Sequence, residues 1–342
     1  MLKLLVLAIF LTGCISKKAL NIDNDLPTIG RSAPIRALTE LGENYNPELS
    51  LDGKKLCFIT SNHPHHNQAQ GYVLHLETKA LQRINFQYGD ITQILEISPE
   101  QYLYTSTTDE LKEDSDFIKK TLRSQNAKTE KLGESESPLP RTELYIVNKI
   151  RNSIDRLTDH PGFDGFFTFN FKNNFFLYLS QINSSMDLKR YDLKSRKTVL
   201  LAKNLLAKDL FFSDALNKII WVGTEKENSS FSILISTQDL KSTETLLSSS
   251  KPYSTPIVSP DGLWLYYAHT LENSDNKELF RTKLDRSCTQ RLTYHTGIDE
   301  YPRLSPDGAR LYFTSNRTGA RQIYELDLKS LEPCPTTKTA LE

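Results

Sequence analysis

The tetrapeptide Ser-Pro-Asp-Gly appears twice, each time inside the same longer pattern, and that repetition limits the possible folds more than any bulk property does. Pro256-Ile-Val-Ser-Pro-Asp-Gly-Leu-Trp-Leu-Tyr-Tyr-Ala and Pro302-Arg-Leu-Ser-Pro-Asp-Gly-Ala-Arg-Leu-Tyr-Phe-Thr start 46 residues apart. A third copy starts at Pro47 and carries Ser-Leu-Asp-Gly. A degenerate fourth runs from Ile97, and two more, from Phe169 and Phe211, keep only the pattern. In each copy a short apolar strand enters a tight turn and an alternating strand leaves it. Proline pre-sets φ in that turn, aspartate caps it through its side chain, and glycine takes the positive φ that other residues resist. A third strand follows, as in Gln322–Leu328, and a fourth ends in Arg-Leu-Thr, at Arg156–Thr158 and Arg291–Thr293. Four antiparallel strands in roughly 45 residues make one propeller blade. Six copies therefore predict an all-β, six-bladed β-propeller of four-stranded antiparallel blades.

The last copy runs through Leu328 and then breaks down into Lys-Ser-Leu-Glu-Pro-Cys-Pro, with no fourth strand. Ile35-Arg-Ala-Leu-Thr39, directly before the first copy, echoes Arg-Leu-Thr. Residues 35–39 are thus expected to be the outer strand of the last blade, closing the ring by backbone hydrogen bonds. The propeller is assigned to residues 35–332, with a C-terminal tail at 333–342. One stretch breaks the period: the copies at Ile97 and Phe169 lie 72 residues apart. The excess is an insertion at 109–140, dense in both charge signs. It reads either as a tolerated surface loop of small entropic cost or as a lid or docking element. The 15 Tyr and 16 Phe sit beside β-branched residues and Met is scarce at 2, which favours strands over helices.

The N-terminus carries a different signal. Lys3 gives a short positive start, Leu4–Phe10 an apolar stretch too short to span a bilayer, and Leu11-Thr-Gly-Cys14 follows. This resembles the lipobox of bacterial lipoproteins, which implies removal of residues 1–13, lipidation of Cys14 and a tether over residues 14–34. A multi-chain lipid is enough for stable membrane attachment. Ile15, where an Asp would retain the protein, resembles the outer-membrane sorting pattern. The expected location is therefore the cell envelope, lipid-anchored and facing the periplasm, at the outer rather than the inner membrane. Three cysteines remain. Cys57 lies in an apolar strand and reads as a small hydrophobe. An export route permits a disulfide between Cys288 and Cys334, which spacing alone leaves open.

Lys plus Arg and Asp plus Glu total 42 each, for a net charge of zero. Such a chain shows no basic footprint for nucleic acid and none of the polybasic clusters that hold proteins on anionic lipid. It has no Gly-x-Ser-x-Gly nucleophile elbow and no glycine-rich phosphate loop. No catalytic residue and no cofactor is assigned.

Leu304–Leu326, with the preceding Arg291-Leu-Thr and Asp299-Glu-Tyr-Pro, resembles the TolB-type WD-like repeat. The match is close in the sixth blade, good in the fifth and first, partial in the second, and only a pattern in the third and fourth. The motif is architectural, so it specifies fold strongly and function weakly. TolB itself is a periplasmic propeller that, with an added N-terminal domain, works in a cell-envelope complex. Here about twenty residues separate Cys14 from the first strand. The resemblance therefore implies a propeller-only, lipid-tethered relative to which TolB's partners do not simply carry over.

Strand order puts the Ser-Pro-Asp-Gly turns on one face. The loops between blades and the second-to-third strand loops lie on the other, around the mouth of the central channel. That mouth collects His63, His65 and His66, the 109–140 insertion, His160 with Asp164, and His295 with Asp299 and Glu300. These residues form the candidate binding face. In the first reading the protein is a non-enzymatic, monomeric envelope scaffold that binds a protein or peptide there, since loops from six blades converge on a preformed concavity. In the alternative it binds a glycan or small ligand, or acts as a metal-dependent lyase. That version needs His63, His65 or His66 to converge with His160, His295 or an acid. No metal site is assigned, because no fixed ligand spacing recurs.

Overall fold

The computed structural model describes residues 20–21, 34–85, 89–108, 139–159, 162–181, 186–223, 230–271 and 275–334. The leader, Cys14, most of the tether, the insertion from 109 to 138, His160 and the tail beyond Cys334 lie outside the described residues. Strands β1 (Leu20–Asn21) and β2 (Ile35–Ala37) come first. Blade 1 is β3 (Glu43–Leu49), β4 (Lys55–Ser61), β5 (Gln70–His75) and β6 (Leu81–Arg83). Blade 2 is β7 (Ile91–Ser98), β8 (Gln101–Ser106), β9 (Glu143–Asn148) and β10 (Ser153–Arg156). Blade 3 is β11 (Phe163–Asn170), β12 (Phe175–Gln181), β13 (Met186–Asp192) and β14 (Lys197–Leu205). Blade 4 is β15 (Ala207–Ser213), β16 (Lys218–Gly223), β17 (Phe231–Ser236) and β18 (Thr243–Ser249). Blade 5 is β19 (Tyr253–Val258), β20 (Trp264–Thr270), β21 (Lys277–Lys283) and β22 (Thr289–Arg291). Blade 6 joins β23 (Asp299–Leu304), β24 (Arg310–Thr318) and β25 (Ala320–Asp327) to β2 as its outer strand. Apart from a 3-10 turn at Leu328–Ser330, the described residues contain no helix.

The repeated turn has the same chemistry in blades 1, 5 and 6. The hydroxyls of Ser50, Ser259 and Ser305 donate to Asp52, Asp261 and Asp307 at 2.7, 2.5 and 2.5 Å. Each serine oxygen in turn accepts the amide of Lys55, Trp264 or Arg310, at 2.9 Å in every case. Gly53, Gly262 and Gly308 hold φ at +68°, +71° and +67°, where a side chain is disfavoured. A Cβ at Gly53 meets Pro306 and one at Gly308 approaches Pro260. The turns of successive blades thus stand side by side on one face, as their order in the chain implies.

Packing lies between the blades, in six apolar clusters, one at each seam. Alternation along a strand sends neighbours to different seams, because successive side chains point to opposite faces. In β4, Leu56 and Phe58 pack toward Tyr312 and Ile323 of blade 6. Cys57 and Ile59 pack toward Ile94 and Tyr104 of blade 2. Cys57 is fully buried, as the sequence implies, and burial pushes its thiol pKa up.

The sixth seam is where the chain must close on itself. Ile35 and Ala37 pair antiparallel with Leu326 and Tyr324, and the amide of Leu38 donates to Ile323 at 2.8 Å. The echo of Arg-Leu-Thr has a physical cause. In blades 2 and 5, Thr158 and Thr293 donate to Glu143 and Glu278 and accept the amides of Leu144 and Leu279 at 3.0 Å. Arg156 and Arg291 reach the same two glutamates at 3.1 and 3.0 Å. Thr39 repeats the lock across the closure, donating to Gln322 at 2.7 Å and accepting the amide of Ile323 at 2.9 Å. The apolar cluster here is smaller than elsewhere, and a cavity of about 330 Å³ lined by Leu38, Leu41, Phe58 and Tyr72 adjoins it. Arg303 on β23 binds Glu48 on β3 through two hydrogen bonds, of 2.7 and 2.5 Å. A disulfide from Cys288, in the outer turn of blade 5, to Cys334 pins the chain that leaves blade 6.

Leu20 and Asn21 pair parallel with Leu247 and Ser248, adding a fifth strand to the outer edge of blade 4. An outermost strand has unpaired main-chain groups on its far side, and an extended polar segment can satisfy them.

Glu48→Gln, which leaves the Arg303 charge without its carboxylate, should lower unfolding stability in urea by about 3 kcal/mol. A Glu48→Leu/Arg303→Met pair should recover most of that loss; equal losses in both variants would mean the ion pair does not hold the seam. Cys334→Ser, which opens a loop of 46 residues, should cost about 4 kcal/mol in the same assay under oxidising conditions. An unchanged urea midpoint would count against the disulfide.

Candidate functional site

The channel is lined by the innermost strands, and their irregularities decide which groups face it. β3, β7, β11, β15, β19 and β23 each slip register against the next strand, between Tyr45 and Glu48, Ile91 and Gln93, Gly165 and Thr168, Ala207 and Asp209, Ser254 and Ile257, and Glu300 and Arg303. At four of these bulges a residue other than glycine takes positive φ: Asn46 (54°), Phe166 (48°), Thr255 (50°) and Tyr301 (56°). Bulges re-aim side chains and backbone strain collects at functional sites.

The redirected groups join every blade to the next. Asn46 donates from its side chain to the Thr92 carbonyl at 3.1 Å. Gln93 donates to the Phe167 carbonyl at 2.8 Å and accepts the Phe167 amide at 3.0 Å. The Phe212 amide donates to the Thr168 hydroxyl, the Thr255 amide to Asp209 and the Tyr301 amide to the Thr255 hydroxyl, at 2.9, 2.9 and 3.2 Å. The Asn46 amide, donating to Thr314 at 3.1 Å, completes the circuit.

Inside this girdle lies a cavity of about 170 Å³. Phe163, Phe166 and Pro256 give it apolar walls, and Asp209, Tyr301 and Arg303 give it polar ones. Leu139 and Pro140, where the chain returns from the insertion, reach its edge, and Leu139 packs with Phe163. Burial pushes the Asp209 carboxyl above the usual carboxylate range, against the opposing pull of the Thr255 amide and of Lys277 and Arg303. Among the described residues Asp209 has no ion-pair partner, since Lys277 is bound to Glu300 at 3.1 Å and Arg303 to Glu48. Burial works against the Arg303 charge, but Glu48 outweighs it and the guanidinium is held more firmly protonated than usual.

The residues expected at the mouth divide into three groups. His63, His65 and His66 do come together: the His63 ring lies 5.3 Å from that of His65 and 5.1 Å from that of His66. Both ring nitrogens of His66 are engaged, with the Gln68 carbonyl and the Tyr72 hydroxyl, each at 2.8 Å. Burial lowers the pKa of His63 and of His66, favouring neutral rings. His295 stands apart and exposed, its amide donating to Glu278 at 2.7 Å and its Nδ1 accepting the Gly297 amide at 2.9 Å. Asp164 and Asp299 are buried at the start of their inner strands. The Asp164 amide donates to the Thr142 carbonyl and the Asp164 carbonyl accepts the Thr142 hydroxyl, and Asp299 accepts from Arg317 at 2.8 Å. Glu300 is buried against Lys277. No three His, Cys, Asp or Glu among the described residues are grouped so as to hold a metal ion.

Sequence reasoning missed Asp209, Arg303, Tyr301 and the girdle. A usable signal was present: Asn46-Pro47, Thr255-Pro256 and Tyr301-Pro302 stand at the same point before three of the repeated turns.

Comparison with known proteins agrees with this architecture. Residues 195–337 match the TolB beta propeller domain. The Tol-Pal system protein TolB of Vesicomyosocius okutanii subsp. Calyptogena okutanii (strain HA) is 29% identical over 126 residues, which is 37% of this chain and 30% of that protein. The match thus spans under a third of the relative's length. Among solved structures, TolB from Acinetobacter baumannii superposes with a TM-score of 0.58 at 13% identity, over 81% of this chain and 64% of that one. An oligogalacturonate lyase in complex with manganese gives 0.53, also at 13% identity, over 86% and 93% of the two chains. At such identities the superpositions show the fold alone. With the domain match, the repeat and the six blades taken together, the chain carries a six-bladed, TolB-like propeller.

Proposed function

We propose that this protein is a non-catalytic scaffold of the bacterial cell envelope, lipid-anchored through Cys14, that captures an extended segment of a partner protein at the mouth of its channel. Residues 1–13 are its leader, 14–34 its tether and 35–332 its binding ring, and it acts as a monomer at the periplasmic side of the outer membrane. The observation that carries this reading is Asp209, a carboxylate with no ion-pair partner among the described residues, held against burial beside the aromatic wall of Phe163 and Phe166. A cavity of about 170 Å³ takes one or two side chains, whereas small-molecule pockets are usually larger. A basic side chain beside an apolar one in an extended peptide matches those walls. The position of the site at the centre of six converging blades, and the TolB-like form of the ring, support the same reading. The engagement of both His66 nitrogens, by the Gln68 carbonyl and by Tyr72 on β5, favours binding over metal chemistry.

In-cell crosslinking with mass spectrometry tests the proposal. The native protein should capture one specific envelope protein, and Asp209→Asn and Phe166→Ala should each reduce its yield at least about tenfold. The absence of any specific partner would sink the scaffold reading. Asp209→Asn also carries its own control for folding. A carboxyl whose folded pKa lies above its unfolded one costs stability once ionised, so wild-type stability rises as pH falls through that window. The variant lacks this dependence, and should melt higher than wild type at about pH 7, with the gap closing toward about pH 3.

A further inference from the structure

From the outer rim of blades 2 to 4 we infer a second surface, a membrane-docking edge that lays the ring on an anionic lipid surface. The outer strands of blades 1, 2, 5 and 6 are three or four residues long, but β14 in blade 3 has nine. Its inward side chains Leu201, Ala202 and Leu205 pack toward Phe212 and Ile219 of blade 4. As the outermost strand it is open along its free edge, with Val199 54% and Leu200 44% exposed on opposite sides of the strand and Leu206 40% exposed just beyond. On the adjoining rim of blade 2, Ile150 and Ile154 are 76% and 42% exposed. Five of the nine exposed large hydrophobics among the described residues therefore lie on this part of the rim.

The same edge is basic. Lys194, Arg196, Lys197 and Lys203 are all exposed along it. Three acids lie nearby and offset part of that charge: Asp155 faces Arg196 at 3.7 Å, Asp187 accepts the Asn204 amide at 3.2 Å, and Asp192 accepts the Ser195 amide at 2.7 Å. A chain with zero net charge and no polybasic cluster evident in its sequence thus gathers cations and apolar side chains along one edge. A long uncovered edge strand is a liability that proteins normally cover. Blade 4 next to it is covered by this chain's own β1.

The occupant is argued from where the tether arrives. Cys14 precedes Leu20 by six residues, a reach of at most about 20 Å, and Leu20 is paired to the outer edge of blade 4. This step rests on the lipidation of Cys14 proposed above. The lipid then holds the rim of blades 3 and 4 close to the bilayer, where even weak affinity is multiplied by proximity. Lysines meet anionic headgroups, and Val199, Leu200 and Leu206 enter the interface.

Vesicle flotation of the chain from Ile15 onward tests the edge without the lipid, since the ring closes within residues 35–334. Binding should appear with vesicles of phosphatidylcholine and phosphatidylglycerol, fall with salt, and be absent with phosphatidylcholine alone. Lys194→Glu/Lys197→Glu/Lys203→Glu should weaken it about a hundredfold, from roughly fivefold per lysine. Lys54→Glu/Lys79→Glu on blade 1 should leave it unchanged. Failure to bind, equal binding to both vesicle types, or indifference to the blade 3 reversal overturns the docking edge. So does self-association without vesicles that Val199→Lys abolishes, which assigns the edge to a second strand instead. Labelled palmitate incorporation in cells, lost in Cys14→Ser, tests the lipidation separately. A chain that takes no label overturns the anchor reading while the vesicle result still decides the edge.

Discussion

A ring of two-faced blades has no central core, so each blade depends on both neighbours and the whole depends on the seam where the last meets the first. Each other blade is one continuous run of chain. Blade 6 is not: its outer strand is β2, which the N-terminal segment lends to it before the chain begins blade 1. The closing seam's apolar cluster is smaller than the others and a cavity adjoins it. Polar links accumulate there: the Thr39–Gln322 lock, the doubly bonded Arg303–Glu48 pair and the Asn46–Thr314 bond of the girdle. The two neutral links are each worth little alone, on the order of 1 kcal/mol net for a hydrogen bond. Together they occur where apolar burial contributes least.

The fold was legible because its determinants are local and repeated. Ser305, Asp307 and Gly308 form one turn through contacts within five residues, and that turn recurs at Ser50 and Ser259. The closure strand was legible for a related reason, since Thr39 makes the same bonds as Thr158 and Thr293. The site was less legible. Asp209 faces the channel because of a bulge in β15 and meets Thr255, forty-six residues away, only once the ring has formed. The histidines stood out in the sequence by residue type, yet chemistry alone did not say that His66 spends both nitrogens on Gln68 and Tyr72. Asp164 and Asp299, placed at the mouth by the sequence, are buried at the start of their inner strands.

The channel mouth and the outer rim draw on the same architecture in opposite ways. At the centre, bulges and positive-φ residues place strain, and a carboxylate with no ion-pair partner among the described residues, where six strands over-determine the backbone. At the periphery, the outermost strand has only one neighbour, so its sequence is free of the packing that constrains β11 and β12. That freedom explains why β14 carries lysines and exposed aliphatics while Phe175–Tyr178 in the same blade are buried.

If the rim of blades 2 to 4 lies on the membrane, the channel axis runs along the bilayer surface, because the strands of each blade step outward from the axis to that rim. The mouth then opens sideways, with the Leu139–Pro140 end of the insertion beside it. An extended segment of another membrane-attached protein, moving in the same plane, meets the mouth end-on without lifting away from the lipid. Both partners are confined to one surface, so the encounter is two-dimensional and a shallow cavity of about 170 Å³ has to supply specificity more than affinity. Asp209 is suited to such discrimination. An ionised carboxylate beside an aromatic wall gains from a cationic side chain and rejects an acidic one, at the cost of stability in the empty ring.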